Sequence, residues 1–362
     1  MNIPLIKVGM PSANILMPSL EKVLYSGMIG EGEAVYEFET QFKAKFDLDC
    51  GIAMSSGTAA LHASLILSKV SSGDEVITTS MTAEPTNITI LQVGAIPVFA
   101  DVDPDSGNID PTSIESKITN KTKAIVVVHY AGIPVRLREI SDIARKYNLA
   151  LIEDCAHALG ARYDKRGVGS LSDFAIYSFQ AIKHMTTVDG GFLAIKNEKS
   201  LRDAKKFRWF GLEKGVSRTE IDITSIGYKY NMHNVAATIG LAQLDGIHDK
   251  LDKHKDNGRY FDAHIPKISG LSVPSFEQIS EPSYWLYTIF SDDSNEIEHS
   301  LAEIGVTASK LHRPNHLHSI FKPFAEELPC LEEYYKKMIH IPCGWWVNED
   351  IRESICNKLK SG

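Results

Sequence analysis

The sequence lacks the features of several large classes of protein. It has no apolar run long enough to cross a membrane, no basic run and no internal repeat, and its net charge of −8 does not favour binding to nucleic acid. Its five cysteines are odd in number and scattered, so we expect reduced thiols and no metal site. The amino-terminal residues do not have the pattern of a signal peptide. We therefore predict a cytoplasmic protein with no nucleic-acid or membrane partner.

The order of the apolar segments indicates the fold. With 362 residues, the chain is longer than one hydrophobic core usually supports, so two domains are expected. Apolar runs typical of strands lie at 75–79, 96–100, 123–128, 149–153, 174–179 and 192–195, and helical patterns lie at 34–46, 137–147 and 235–244. This alternation predicts an α/β fold with a mostly parallel central sheet covered on both faces. We predict a large domain at 1–245 and a smaller α+β domain at 246–362, the latter with a strand at 284–290.

Polar residues follow several of the predicted strands. Ser56, Glu84, His129, Asp154 and Ser178 all lie just after an apolar run. Because ligands gather at the carboxyl ends of the strands in a parallel sheet, we expect these residues to form one site.

One lysine lies in the polar turn between the runs at 174–179 and 192–195. Lys183 would be enclosed between two buried strands, where a charged amine is unfavourable; such a site lowers the pKa of the lysine or holds it in a covalent bond. These are the conditions for a Schiff-base lysine. A lysine at a strand end that reaches solvent has the same local sequence, but the other polar positions favour the first interpretation.

Two further segments each have two interpretations. Ser56, Gly57 and Thr58 precede a strong helix-forming run, so either the free N–H groups of the helix bind an anion or a hydroxyl simply caps the helix. Asp154 ends an apolar run; it either caps the next turn or holds a proton on a heteroaromatic nitrogen, which makes a pyridine ring an electron sink. His157 lies beside such a ring or is a buried core histidine.

The character of the chain changes after residue 200. The basic, aromatic residues at 205–211 are more typical of a solvated helix face than of a binding patch, and the polar residues at 213–222 are predicted to form a mobile loop. A Gly-Tyr-Lys-Tyr run at 227–230 then precedes an alanine-rich helix.

Together these segments resemble the DegT/DnrJ/EryC1/StrS family of sugar aminotransferases, which depend on pyridoxal phosphate (PLP). The resemblance covers nearly the whole chain and has four motifs in order, at 56–61, 153–157, 178–191 and 227–230. It implies the fold type I PLP-dependent transferase fold and a homodimer with shared active sites. It also implies transfer of an amino group from glutamate to a nucleotide-linked 3- or 4-keto-deoxysugar, with pyridoxamine phosphate as the intermediate form of the cofactor. Such enzymes serve deoxyamino sugar biosynthesis, for example for lipopolysaccharide or O-antigen.

The resemblance also implies roles for individual residues. Lys183 would bind the cofactor covalently, Asp154 would hold the ring nitrogen and His157 would lie near the ring hydroxyl. The implied phosphate ligands are Gly57, Thr58, Ser178 and, from the partner subunit, Lys229. The candidate contacts to the sugar or the diphosphate are Glu84, His312 and Arg313.

Two positions depart from the family pattern. Family members usually place an aromatic ring over the cofactor where this chain has Ala83, so another group must cover that face of the ring. The partner-subunit loop usually reads Gly-Tyr-Asn-Tyr, and here Lys229 replaces the asparagine; a lysine suits a phosphate as a point charge. Related sugar dehydratases have histidine in place of Lys183. Such a dehydratase and a non-catalytic PLP-binding regulatory protein are the alternatives to an aminotransferase.

Overall fold

Short runs rich in valine, isoleucine and alanine form the strands of the computed structural model, which describes residues 2–361. The strands are β1 (Gly51–Met54), β2 (Glu75–Thr79), β3 (Ile96–Ala100), β4 (Thr122–Val128), β5 (Ala150–Asp154), β6 (Arg162–Tyr163), β7 (Arg166–Gly167), β8 (Phe174–Ser178), β9 (Gly191–Ile195), β10 (Ser280–Glu281), β11 (Tyr287–Phe290) and β12 (Met338–Ile341). The six strands predicted before residue 200 are present, with ends that differ from the prediction by at most one residue.

The central sheet of residues 2–361 has seven strands in the order β1-β9-β8-β5-β4-β2-β3. The pairs β5–β8, β4–β5, β2–β4 and β2–β3 are parallel, whereas β9 is antiparallel to both β8 and β1. The predicted α/β class with a mostly parallel sheet is confirmed. Two smaller sheets lie outside it: β6, β7 and β10 form one, and β11 pairs antiparallel with β12.

Helices cover both faces of the sheet because the strands are apolar on both sides. They are α1 (Ala13–Leu24), α2 (Glu33–Lys45), α3 (Gly57–Leu67), α4 (Glu84–Gln92), α5 (Pro111–Ser116), α6 (Leu137–Tyr147), α7 (Ser200–Arg208), α8 (Asn234–Leu244), α9 (Ile247–His264), α10 (Ser294–Glu303), α11 (Pro329–Lys337) and α12 (Glu349–Ser361). One buried cluster joins α2, α6 and α8 to the sheet, and a second joins α3, α4 and α7 to its other face. None of the helices in residues 2–361 is both long and apolar enough to span a membrane.

The carboxyl-terminal part has a core of its own and a second core that it shares with the sheet. The first contains buried residues of α9, α10, α12, β11 and β12, together with Ile3. The second packs Trp285 and Phe321 against Phe99 and Tyr130, which lie beside the central sheet. This contact brings carboxyl-terminal residues to the carboxyl ends of the parallel strands. The domain boundary between residues 245 and 246 stays a prediction.

The strand predicted at 284–290 is half as long as expected. Only Tyr287–Phe290 forms β11, because Tyr284 has a φ of +47° and the chain turns there. The apolar residues Trp285 and Leu286, which suggested a longer strand, are buried in the core shared with the central sheet.

Candidate active site

A cavity of about 430 Å³ lies where β4, β5 and β8 end and where α3 and α4 begin. Its size falls within the range of about 300–1,000 Å³ that is usual for small-molecule sites. The residues predicted for the site that line it are Ser56, Gly57, Thr58, Glu84, Asp154, His157, Ser178, Lys183 and His312. Lys229 and Arg313 are not among the residues within 2–361 that line it. Ala83 lies in its wall, at the position where the family pattern has an aromatic residue.

The first turn of α3 meets the end of β8 at one side of the cavity. Ser56 caps the helix, since its Oγ accepts a hydrogen bond from the backbone N–H of Ala59 at 3.0 Å. Gly57 permits the close approach of the two elements, because a Cβ at this position would stand 3.0 Å from the Cβ of Ser178. The first N–H groups of a helix have no intrahelical partner, and here they stand beside the hydroxyls of Thr58 and Ser178. The turn is therefore both a capped helix start and a suitable cradle for a phosphate.

Asp154 is a buried carboxylate with unused hydrogen-bonding capacity. It is only 3% exposed; one oxygen accepts from the N–H of Ala156 at 3.0 Å and the other from the Thr86 hydroxyl at 2.9 Å. A carboxylate has about four acceptor positions, so further donors can be accepted. Burial raises the pKa of Asp154, although both hydrogen bonds and the charge of Lys183 act in the opposite direction. A buried acid of this kind favours a cationic N–H group as its ligand.

Lys183 lies in the turn after β8 and is half-buried. Burial lowers the pKa of Lys183 to about 8, against the opposing effect of the Asp154 charge. A substantial fraction of this amine is therefore neutral near neutral pH, as a nucleophile or a general base must be. Its Nζ stands 4.1 Å from the centre of the Trp285 ring.

Two histidines of the cavity have polar atoms without a partner. Nδ1 of His157 and Nε2 of His312 are buried, and neither has a hydrogen-bond partner within residues 2–361. Their rings are nearly parallel, with centroids 5.8 Å apart, and His157 also stacks on Trp285 at 4.0 Å. Burial lowers the pKa of both, that of His312 to about 4, so the rings are neutral at neutral pH. Buried polar atoms are normally paired, so this arrangement fits a ligand that supplies polar groups, such as PLP.

The sequence is similar to that of a known protein family. The sequence model of the DegT/DnrJ/EryC1/StrS aminotransferase family matches residues 13–360. The chain belongs to that family. GDP-perosamine synthase of Escherichia coli O157:H7 is 31% identical over 316 residues, which are 86% of this chain and 85% of that protein.

Solved structures extend the comparison to the fold. The sugar aminotransferase CalS13 of Micromonospora echinospora is 31% identical, with a TM-score of 0.95 over 99% of this chain and 100% of that one. The putative sugar aminotransferase Spr1654 of Streptococcus pneumoniae, solved in a PLP form and in a PMP form, is 26% identical, with a TM-score of 0.90 over 98% of this chain. The predicted fold is thereby confirmed, and the comparisons indicate a PLP-dependent sugar aminotransferase.

His129 of this aminotransferase follows a parallel strand but lies outside the cavity. Its Nδ1 accepts from the N–H of Val135 at 3.1 Å, so its other ring nitrogen carries the proton and donates it to Glu153 at 2.9 Å. Glu153 also accepts from the backbone N–H groups of Gly169 and Ser172. The expectation that His129 joins the site is wrong, because its ring is fully used in a buried pair on the opposite face of the sheet from Asp154.

Two of the side chains that were not predicted from the sequence contact the predicted residues of the aminotransferase site directly. Thr86 donates to Asp154 from the first turn of α4. Its position two residues after Glu84 was the sequence feature from which it could have been predicted. Trp285 comes from the carboxyl-terminal part and contacts both Lys183 and His157. No local pattern distinguishes it from an ordinary core residue.

Lys229 and Arg313 both lie on the surface of the aminotransferase chain. Nζ of Lys229 stands 3.9 Å from the centre of the Trp209 ring and donates to the side-chain oxygen of Asn231 at 3.0 Å. Lys229 is thus exposed and contacts Trp209 and Asn231 of its own chain. The roles predicted for both residues stay predictions.

Proposed function

We propose that this aminotransferase moves an amino group from glutamate to a nucleotide-linked keto-deoxysugar. The observation that carries the proposal is the convergence of Lys183 and Asp154, from the ends of two neighbouring strands, on one cavity. The partner-free nitrogens of His157 and His312 in the same cavity add to it. The similarity to GDP-perosamine synthase supports an acceptor that is a nucleotide sugar.

The residues of the cavity fit PLP, which when bound supplies an electron sink for the charge left at a substrate carbon. In this proposal Asp154 holds the proton on the ring nitrogen, and His157 lies beside the ring hydroxyl. The phosphate would be held by the first turn of α3, through the backbone of Gly57 and the hydroxyls of Thr58 and Ser178, and by Lys229 of the partner subunit.

Lys183 has two functions in the proposal. It would hold the cofactor covalently, and as a neutral amine it would remove the proton from Cα of glutamate. In its protonated form it would return a proton during amination of the keto-sugar. The lowered pKa of about 8 suits both directions, since neither form of the amine is scarce near neutral pH.

The substrate end of the cavity is formed by Glu84 and His312, and we propose that both contact the sugar or the diphosphate. Arg313, next to His312 and exposed, is the candidate for a charged group that extends beyond the cavity. His312 is also the proposed replacement for the missing aromatic ring at Ala83, because its ring lines the same cavity and lies nearly parallel to that of His157.

We further propose a homodimer, located in the cytoplasm and acting in deoxyamino sugar biosynthesis such as that of O-antigen. An apolar surface supports the dimer: Tyr25 is 85% exposed and Ile226 is 77% exposed. Other large apolar side chains on the same segments are also exposed, namely Met17, Leu24, Met28 and Ile29. Exposed apolar side chains that are grouped along one segment are typical of an interaction site.

Half-reactions test the proposal. Incubation with glutamate alone should convert the PLP form into the PMP form, with one equivalent of 2-oxoglutarate per site. A panel of nucleotide keto-sugars then identifies the acceptor as the compound that restores the first spectrum. A protein that binds PLP but forms no 2-oxoglutarate would support the dehydratase or regulatory alternative and would contradict the proposal.

A further inference from the structure

Trp285 makes three contacts at the wall of the cavity, each to a residue of the candidate site or its neighbour. Its Nε1–H donates to the carbonyl oxygen of Ile182 at 3.0 Å. Its ring face stands 4.1 Å from Nζ of Lys183 and stacks on His157 with an interplanar angle of 25°. The side chain is only 2% exposed.

The backbone fixes this position. On either side of Trp285, Ser283 donates its N–H to the carbonyl of Gly132 at 3.0 Å and Leu286 donates to the carbonyl of Ala131 at 3.5 Å. The chain turns between them at Tyr284, whose φ is +47°. Trp285 is thus anchored to the segment that follows β4, so its ring is held against Lys183 and His157, which line the cavity.

A tryptophan face stabilises a cation, and more strongly where water is excluded. Lys183 is the one cavity lysine within residues 2–361, and its amine has lost part of its hydration. Three other Trp–Lys contacts within residues 2–361 provide a comparison: Lys7 stands 5.2 Å from the centre of Trp345, and Lys214 and Lys229 stand 5.0 Å and 3.9 Å from the centre of Trp209. All three lysines are exposed. The electrostatic effect of the ring is therefore expected to be largest at Lys183.

We propose that Trp285 is a positioning residue whose ring face holds the amine of Lys183, when that amine is not bonded to cofactor, in its protonated form beside His157. This is the form that returns a proton during amino transfer, so the tryptophan keeps the acid of the site in place and charged. The proposal rests on the role proposed for Lys183, but the following test uses protein without cofactor and needs no transamination.

The charged and titratable groups that face Lys183 are few. Asp154 opposes the effect of burial on the amine. Burial lowers the pKa of the neighbouring rings, which are His157, His184 and His312, so they are neutral at neutral and alkaline pH. The remaining acidic groups in the wall are the carboxylates of Glu84 and Asp189. A change in the titration of Lys183 near pH 8 in a Trp285 variant is therefore not due to a histidine.

The test is the pH dependence of labelling of Lys183 by acetic anhydride in the cofactor-free protein, read by peptide mass spectrometry. Trp285→Leu removes the ring and should lower the pKa of Lys183 by about 0.4 to 1.5 pH units, which corresponds to about 0.5–2 kcal/mol. Well below that pKa, labelling should become about 2- to 30-fold faster. Trp285→Phe keeps a ring with a weaker face and should give a smaller decrease of the same sign. Circular dichroism and thermal unfolding establish that each variant is folded.

The sign of the change separates this proposal from a merely structural role. If Trp285 only excludes water, its loss relieves the burial of the amine and raises the pKa of Lys183. A raised or unchanged pKa in the folded variants overturns the proposal, and Trp285→Phe decides alone if the leucine variant does not fold. Trp345→Leu is the matched control, because it removes a tryptophan next to Lys7, and it should leave Lys183 unchanged. If the wild-type protein fails in the half-reactions but the Trp285 variants show a lowered pKa of Lys183, the proposed function is refuted and this inference is not.

Discussion

Replacing Thr86 by valine removes one hydroxyl beside Asp154 and keeps the shape of the side chain. The Thr86 hydroxyl donates to Asp154 at 2.9 Å and is itself 2.9 Å from the Thr82 hydroxyl, which must then be the donor in that second bond. In the valine variant the N–H of Ala156 is the remaining donor to this carboxylate within residues 2–361. Valine is β-branched like threonine, so the packing of α4 should be preserved.

The size of the effect follows from the charge on the acceptor. A hydrogen bond to a charged group contributes about 1.5–3 kcal/mol, so its loss should raise the pKa of Asp154 by about 1 to 2 units. The hydrogen bond from Thr86 now lowers this pKa, whereas burial raises it. Asp154 would therefore become protonated at a higher pH and lose its ability to hold a proton on the cofactor ring. The acidic limb of the pH–rate profile should move to higher pH by the same amount, about 1 to 2 units.

The assay is the rate of the glutamate half-reaction as a function of pH, from about pH 5 to about pH 9. Thr89→Val is the matched control, since this threonine is also buried on α4 but its hydroxyl donates to the backbone carbonyl of Thr86 at 2.9 Å. We expect its acidic limb to stay at the wild-type position. An unmoved limb in Thr86→Val, or equal shifts in the two variants, would refute the reasoning about Asp154.

Three further predictions follow from the structure. Lys183→Ala should abolish turnover and covalent cofactor binding, as read by absorbance, while circular dichroism stays native; retained transamination would contradict its role. Lys229→Ala should weaken cofactor retention during dialysis. A mixed dimer of one Lys229→Ala subunit and one Lys183→Ala subunit should regain activity, and if it does not, the loop that carries Lys229 does not reach the site of the other subunit. Arg208→Met leaves Glu39 without its buried cation and Glu31 with Lys214 alone, so urea denaturation should show a loss of about 3–5 kcal/mol in the free energy of unfolding. A near-neutral change would contradict this ion-pair assignment.

Most of the sheet was predictable because each strand is a continuous apolar run that must be buried on both faces. The pairing direction of β9 was not, since it depends on how the chain between Ser178 and Gly191 turns, and that segment is shaped by tertiary contacts. The strand predicted at 284–290 was too long because a positive φ at Tyr284 leaves no trace in the pattern of hydrophobicity.

The site was predictable to the extent that it lies at strand ends. Asp154 was predicted in this way, and Lys183 from its place in the turn between two buried strands. The strand-end argument failed for His129, because a strand end does not reveal which face its side chain occupies. Thr86 and Trp285 reach the site only through tertiary packing.

The expectation of a solvated helix face at 205–211 was wrong at Arg208. This arginine is 3% exposed and pairs with Glu39 at 2.6 Å, at a separation of 169 residues. Local charge patterns do not show such distant pairs. The residue roles and the domain boundary remain predictions.

β5 ends in two adjacent acidic residues, Glu153 and Asp154, whose side chains lie on opposite faces of the sheet. Glu153 is saturated by His129 and backbone donors within the hydrophobic interior, whereas Asp154 opens on the cavity. Because consecutive strand residues alternate between faces, a slip of one position would exchange them and leave the longer side chain in the pocket and the shorter one too far from its partners. The proposed chemistry therefore depends on the exact register of β5 in the sheet. Single-residue insertions or deletions inside β5 should inactivate the enzyme even where the altered sequence still contains both carboxylates.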